Sequence, residues 1–459
     1  MLYKNTIEEL IDYALYRGCS FVEFFLENNK KTTNNFSNGN ATESTMINSS
    51  GVGIRLFFKS RFHYISTNDL SKKNLFTMIK DITSGNDLKS FVTCHKFLAE
   101  SCYNTLQDCS TLNLQREEIN TNLIELTQRI KLAYPLVTDA FGTNFGESQN
   151  VLIANSNGVY IHDTRTRIRL IFDVYASNRT KQHNLSFSCG ETLNERLFQH
   201  INFESECFDV AETAIKFLNA TNVPSGRMPV VIDNGIGAIL FHEACGHGLE
   251  ASSIVNNTSV FSQKMDTVVS SELITMVDDG AFQNAWGTAT FDDEGNETKE
   301  NILIENGILK SYLLDNTTSN KLGMKNTHSC RRESYKYPPS PRMSNTYIKN
   351  GTASRDDIIS SVDYGILIKG VSGGTANPST GDFEFTSNEG YLIKKGQISR
   401  PLKTVNISGN GCDILKKIEL IGNNLKFSEG YCGSISGTVP ITVGQPTIKI
   451  SELNVGGIS

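Results

Sequence analysis

The sequence predicts an α+β protein: an N-terminal α/β domain over residues 1–220 and a β-rich C-terminal domain over residues 221–459. Three observations carry this. Helix-period and alternating segments mix in the first part. The connector Thr221 to Met228 holds Pro224, Gly226 and Arg227. Short strand-like runs dominate the chain beyond it. At 459 residues, the chain is long enough for two or three domains of roughly 100–200 residues each.

Ile7, Leu10, Ile11, Ala14 and Leu15 fall on one side of a helix over 6–17, closed by Gly18. A strand follows from Ser20 to Leu26. Asn28 to Ser50, crowded with Asn, Thr, Ser and Gly, reads as a long loop or hairpin end. Val52 to Phe58 and Phe62 to Thr67 form a hairpin pair, and Asn68-Asp69 offers an N-cap to a helix through Lys80. Residues 85–110 show no clear period, whereas 114–131 reads as an exposed helix. Strands are expected at Val151 to Ala154, Val159 to Ile161 and Arg165 to Ser177. In the last, Arg165, Arg167 and Arg169 alternate with Thr166, Ile168 and Leu170, a basic face expected in solvent. Phe208 to Ala220 is helical and Pro229 to Ile232 a short strand. The acidic string Asp292 to Asn296 reads as part of an exposed loop and lacks the spacing of a calcium loop. Asn306-Gly307 marks a hairpin. Thr327 to Asn345, with Pro338, Pro339 and Pro341, runs extended and suits either a cleft wall or an irregular surface loop. Further strands at 364–369, 383–386, 390–394 and 402–407 and a helix over 411–417 complete the chain.

The net charge of −6 argues against a generic nucleic-acid binder, which carries a basic excess. Glu8, Glu9 and Asp12 interrupt the N-terminus where a signal peptide needs an apolar core, and no apolar run reaches about 18 residues. The ten cysteines are scattered without a CxxC pair, as expected of free thiols in the cytoplasm.

One motif carries chemistry. In His242-Glu243-Ala244-Cys245-Gly246-His247, two histidines able to ligate zinc bracket a carboxylate able to act as general base. They stand five apart, not four as in H-E-x-x-H. On a regular helix that spacing leaves the side chains roughly 140° apart. Shared ligation therefore requires a widened turn or a helix end near Gly246. An inert pair of core histidines fits the spacing equally well. Cys432, in a glycine-rich loop, offers a thiolate or a small buried hydrophobe.

HEACGHGLEAS, preceded by PVVIDNGIGAILF, resembles the metallopeptidase family called TldD/PmbA, in its active TldD-type form. VFSQKM (260–265), ELITMVDDG (272–280), NILIENGILKSYLLD (301–315), RRESY (331–335), PRMSNTYI (341–348), Cys432-Gly433 and VGQPTIKISELNVGG (443–457) match the family pattern in order, as do residues 51–70 and 150–165. The resemblance implies zinc held by His242, His247 and Cys432, with Glu243 as catalytic base. It implies a C-terminal domain whose β-sheet surrounds the metal-binding helix, and a homodimer or a heterodimer with a TldE/PmbA-type subunit. It also implies hydrolysis of short or unfolded peptides, water activated by Glu243 attacking a zinc-polarised carbonyl. The usual valine of HEAVGH is Cys245 here, and Ser252 replaces an acidic residue. His328, Arg331, Arg332 and Tyr335 cluster in the proline-bounded segment as substrate-binding candidates. The competing reading is a peptide-binding subunit with a structural metal, closed by a fourth ligand from Cys245, His328 or Cys330. Neither nucleic acid nor membrane is an expected partner.

Overall fold

The computed structural model describes residues 4–59, 61–84, 99–103, 109–192, 198 and 201–457. The first part builds one seven-stranded sheet from α1 (Lys4–Tyr16), β1 (Phe21–Ser37), β2 (Asn40–Phe58), β3 (Arg61–Thr67), α2 (Lys72–Ile82), β4 (Ala99–Tyr103), α3 (Cys109–Ala133), β5 (Val137–Asn155), β6 (Val159–Asn178), β7 (Lys181–Thr192) and α4 (Phe203–Phe217). The strand order is β3-β2-β1-β5-β6-β4, with β7 also on β6. Only β4 runs parallel to its neighbour.

Of the two readings of residues 28–50, the hairpin end is the one observed and the long loop is not. These residues are the outer halves of β1 and β2, paired from Asn28↔Ser50 to Ser37↔Asn40. Asn38 (φ 49°) and Gly39 (φ 88°) supply the two left-handed positions of a tight hairpin turn. β1 is bonded on both sides, to β2 and β5, and that ladder uses backbone groups, so polar side chains do not oppose it. The reading of 85–98 and 104–108 lies outside the described residues. α2 starts after Ser71, later than Asn68-Asp69 suggested. α3 is amphipathic and not wholly exposed: Leu123, Leu126 and Ile130 are buried.

Alternation sorts the sheet into two faces. On one, Phe24, Leu26, Val52, Ile54 and Leu56 pack with α1 and α2. Farther along the same face, Phe36, Leu170, Phe172 and Val174 pack with α3 and α4. The opposite face, with Glu23, Phe25, Arg55, Ile153, Arg165 and Arg167, meets the C-terminal part. Arg165 and Arg167 are therefore buried and Arg169 half-buried, contrary to the solvated face expected. Arg165 pairs with Asp163 and Asp293, Arg169 with Glu429, and Arg167 donates to the carbonyls of Trp286 and Thr288. The acidic string is likewise no exposed loop. Asp292, Asp293 and Glu294 are buried, and Glu294 pairs with Arg55 at 2.6 Å. Alternation identifies a face, but what covers it depends on residues far along the chain. Gly51 belongs to this contact, since a Cβ there would lie 2.3 Å from the Tyr335 ring.

The C-terminal part has a nine-stranded and a six-stranded sheet, besides the two-stranded pair Cys330–Arg331 and Ser340–Pro341. In the larger, β8 (Gly226–Ile232) lies between Tyr364–Ile368 and Ile448–Gly457. In the smaller, the spatial order is Ile308–Leu309, Glu300–Glu305, Met276–Asp279, Asn345–Ile348, Gly437–Gln445, Lys426–Ser434. The Asn306-Gly307 turn joins its first pair as expected, both residues at positive φ. The expected helix over 411–417 is observed as Gly411–Lys416. Between the sheets runs the histidine-bearing segment, with α5 at Ile239–Ala244. Its Leu240, Phe241 and Leu249 share one core with Ile232, Ile366 and Ile450 of the larger sheet and Met276, Ile304 and Ile348 of the smaller. Each such side chain contributes roughly 1.5–3 kcal/mol on full burial. The fold is α+β, and sheets enclose the histidine element on both sides.

Candidate metal centre

α5 is only six residues long. It stops at Cys245, whose backbone (φ −128°, ψ −51°) departs from helical values, and Gly246–Leu249 continues as a 3-10 turn. This break, with no widened π turn, brings the second histidine round to the first. Their ring centroids lie 5.1 Å apart at 82°. Gly246 is required by space, because a Cβ would sit 2.2 Å from Met343 Sδ.

Cys432 folds back onto the pair from the edge strand of the smaller sheet. Its Sγ lies 3.3 Å from His242 Nε2 and 3.1 Å from His247 Nε2. A tetrahedral zinc, with Zn–S of about 2.3 Å and Zn–N of about 2.0–2.1 Å, needs its S and N donors about 3.6 Å apart. The three donor atoms lie within 4.8 Å of one another, so two imidazoles and a thiol fit such an ion.

The surroundings also favour a cation. His247 Nδ1 faces Glu250 Oε2 at 3.2 Å, which places the proton on Nδ1 and leaves Nε2 free to donate its lone pair. Burial alone would lower the His247 pKa, yet Glu250 and Cys432 outweigh it and push it up to about 11. The anionic field that would hold a proton there would equally hold a metal ion. His242 is fully enclosed, and burial drives its pKa well below the usual imidazole value, leaving a neutral donor. Its Nδ1 has no hydrogen-bond partner among the described residues, so packing and the Nε2 contact with Cys432 orient this ring. Glu243 Oε2 stands 3.7 Å from His247 Nε2, with about a third of its side chain (37%) exposed. Burial raises its pKa above the ordinary carboxylate range, with His247 and Arg342 pulling the other way.

Two residues that sequence reasoning missed support the donors. One is Glu250. The other is Arg342, fully buried, which donates to Cys432 O at 2.6 Å and to Ser436 Oγ and Gly437 O at 3.0 Å. Its Nε lies 3.5 Å from Glu250 Oε1, so one guanidinium ties the thiol strand to the carboxylate behind His247. The signals were available: Glu250 follows His247 by three positions, and Arg342 lies in PRMSNTYI.

The other candidates are placed differently. Cys245 is buried in the apolar core. Cys330 groups with Glu294 and Asp315, whose carboxylates accept from Arg55, Asn316 N and Thr318. His328 Nδ1 contacts Glu297 O at 2.6 Å. Among the described residues, therefore, three side chains converge at the centre and none of these supplies a fourth. Arg332 pairs with Glu23 at 2.7 Å and lies over the Phe25 ring, and Tyr335 packs on Phe25, Val151 and Ile153. These two join the first sheet to the C-terminal part. Arg331 donates to Met343 O (2.6 Å), Pro440 O (2.7 Å) and Gly287 O (3.4 Å). His328, Arg331 and Arg332 line a narrow cleft of about 40 Å³ between those two parts, whose wall also includes Tyr431, next to Cys432.

Comparison with known proteins places this geometry in context. Three family models match: the PmbA/TldA metallopeptidase domain 1 over residues 22–84, its central domain over 117–220 and its C-terminal domain over 225–457. A "Metalloprotease TldD homolog" of Buchnera aphidicola (from Acyrthosiphon pisum) is 37% identical over 68% of this chain, and the match spans 66% of that relative, just under two thirds of its length. A protein of the same name from Haemophilus influenzae is 30% identical over 99% of this chain and 97% of its own. A "Zinc metalloprotease TldD homolog" of Saccharolobus solfataricus is 26% identical over 89% of this chain and 90% of its own. The crystal structure of TldE from Thermococcus kodakarensis superposes with a TM-score of 0.76 at 18% identity, over 98% of this chain and 100% of that one, a likeness of fold.

Proposed function

The chain belongs to the TldD/PmbA metallopeptidase family, and on that premise we propose that it is a zinc-dependent peptidase acting on short or unfolded peptides. The observation that carries the reading is the convergence of His242 Nε2, His247 Nε2 and Cys432 Sγ, with a half-buried carboxylate alongside. Zinc bound by these donors would polarise a peptide carbonyl and acidify water. The chain's own residues account for the rest. Glu243, partly exposed beside the donors, takes a proton from the attacking water and delivers it to the leaving amine. Its raised pKa suits both transfers, because a stronger base also becomes a usable acid. Glu250 holds the His247 tautomer, and Arg342 holds the backbone that presents Cys432.

The three-donor set supports a catalytic over a structural metal, since a structural zinc is closed by four protein ligands. Of the substrate candidates, His328 and Arg331 keep that role as cleft residues; Arg332 lines the same cleft but is tied to Glu23, and Tyr335 packs in the contact between the two parts. We further propose a cytoplasmic dimer, either of two copies or with a TldE-type subunit. No helix among the described residues is long and apolar enough to cross a membrane.

The test is hydrolysis of an unstructured fluorogenic peptide by the zinc-loaded protein, with and without chelator, for wild type and Glu243→Gln. The reading expects activity that chelation removes and zinc restores, and none in the variant. Chelator-insensitive cleavage, or full activity in Glu243→Gln, would overturn it.

A further inference from the structure

One buried thiol is out of keeping with the others. Cys19, Cys189, Cys207 and Cys245 lie in apolar cores, the usual place for a free cysteine. Cys330 is fully buried but belongs to none of these cores. Its Sγ makes no hydrogen bond among the described residues, and it lies within 4.8 Å of a carboxylate oxygen of Glu294 and one of Asp315. Both carboxylates are buried as well. The three side chains come from three segments: the acidic string, the N-cap of the helix Asn316–Leu322 and the strand Cys330–Arg331.

Structural roles absorb only part of these groups. Asp315 Oδ1 accepts from Thr318 N and Thr318 Oγ1, both at 2.7 Å, and so caps the helix, but Oδ2 makes no hydrogen bond among the described residues. Glu294 accepts from Arg55 at 2.6 Å through one oxygen and from Asn316 N at 2.8 Å through the other, which leaves a lone pair on each. The charges here do not balance. Arg55, Arg165 and Arg332 face Glu23, Asp163, Asp293, Glu294 and Asp315, three positive groups against five negative. Asp292, whose pKa burial and Glu294 push up to about 8, adds no charge at neutral pH. Farther along the cleft, Arg331, Arg167 and Lys31 are matched in number by Asp278, Glu147 and Glu333, so the excess stands. A divalent cation would offset it. Burial first, then Glu294 and Asp315, push the Cys330 pKa well above the ordinary thiol value, against the pull of Arg55. The thiol is thus held protonated until an ion displaces its proton, the ordinary course of thiolate ligation.

We propose that Cys330, Glu294 and Asp315 form a second metal site, which takes a thiophilic divalent ion, zinc first of all. A thiolate beside two carboxylates disfavours calcium and magnesium and suits zinc, with Zn–S of about 2.3 Å and Zn–O of about 2.0–2.2 Å. On binding, the thiol proton passes to solvent through the cleft that Cys330 lines. A carboxylate binding through both oxygens, or a water, fills the fourth position. The ion ties the acidic string, already clamped to β2 by Arg55, to the start of the helix and to the strand that carries Arg331. It thereby strengthens the contact between the first sheet and the C-terminal part, whether or not the chain is a peptidase.

The test uses cobalt, which occupies zinc sites and gives a near-ultraviolet charge-transfer band when a thiolate ligates it. The metal-free full chain is titrated with Co²⁺. Wild type should bind two thiolate-ligated cobalt ions, one at each site. Cys432→Ser, which removes the thiolate of the first centre, should keep one such band, and zinc should abolish it. Adding Cys330→Ser to Cys432→Ser should remove that band. Asp315→Asn on the Cys432→Ser background keeps an oxygen to cap the helix and should weaken cobalt binding at least about tenfold, the low end of what partners outside the ligand shell are worth. That variant decides the matter if the double cysteine variant does not fold. A single thiolate-ligated cobalt in wild type together with no band in folded Cys432→Ser overturns the proposal. So does a band that survives Cys330→Ser, or a cobalt affinity that Asp315→Asn leaves unchanged.

Discussion

Glu250→Gln isolates the electrostatic part of the metal centre. The substitution keeps an oxygen that can accept from His247 Nδ1, 3.2 Å from the present carboxylate, and removes the charge. An ion on the far ring nitrogen would stand about 7 Å from that oxygen. At an effective dielectric of about 20, a unit charge and a divalent ion at that distance interact by roughly 4–5 kcal/mol. Arg342, 3.5 Å from the other carboxylate oxygen, is present in both proteins, so its own repulsion of the ion cancels from the difference. The expectation is therefore zinc binding weakened by at least the roughly 10–100-fold usual for loss of partners that orient metal-ligating histidines. Zinc competition against a chromophoric chelator measures it, with thermal unfolding confirming that the variant is folded. Glu250→Ala should lose more affinity and also destabilise the apo-protein, because Arg342 is left buried with its charge opposed only by carbonyls and a hydroxyl. Zinc affinity in a folded Glu250→Gln within twofold of wild type would refute this electrostatic account.

Glu243→Gln should lower kcat by about 10²–10⁴-fold while zinc affinity stays within a few-fold, since Glu243 is not among the three donors. In wild type the base must be ionised, so activity should fall as pH drops through a pKa that burial holds above the ordinary carboxylate value of about 4.3; an acid limb below that value contradicts the assignment. Asp292 should make the protein less stable as pH rises. Burial first, then Glu294, pushes its pKa up to about 8, so the folded chain keeps a proton that the unfolded chain releases above about pH 4. That contribution is complete below about pH 4 and disappears as pH passes 8, and Asp292→Asn should flatten the slope of Tm against pH over this interval. Gly246→Ala should cost about 1–3 kcal/mol through the clash with Met343 and should weaken zinc binding, because the turn that aims His247 must shift.

The candidate donors were legible only in part. His242, Glu243 and His247 lie within six residues, and shared ligation at a spacing of five required a widened turn or a helix end, of which the Cys245 break is the second; Cys432 was singled out by the family resemblance and not by its local sequence. The apolar periods of α1 and β6 were legible because each is written within a few turns of chain. For the outer β1–β2 hairpin, composition left a long loop and a hairpin end equally open. Its stability lies in backbone bonds to two neighbours, while its side chains, such as Asn34, Thr45 and Ser44, carry no burial signal. The one local clue was Asn38-Gly39.

What sequence reading could not supply is which charge meets which. Arg165 looked solvated and Asp293 looked like loop, and each reading rested on the other residue being invisible; together they form one buried pair at 2.8 Å. The same holds for Arg332 with Glu23 and for Arg55 with Glu294. A charged side chain in isolation is assigned to water because burial is costly, and that cost is offset only by a partner that tertiary structure brings close.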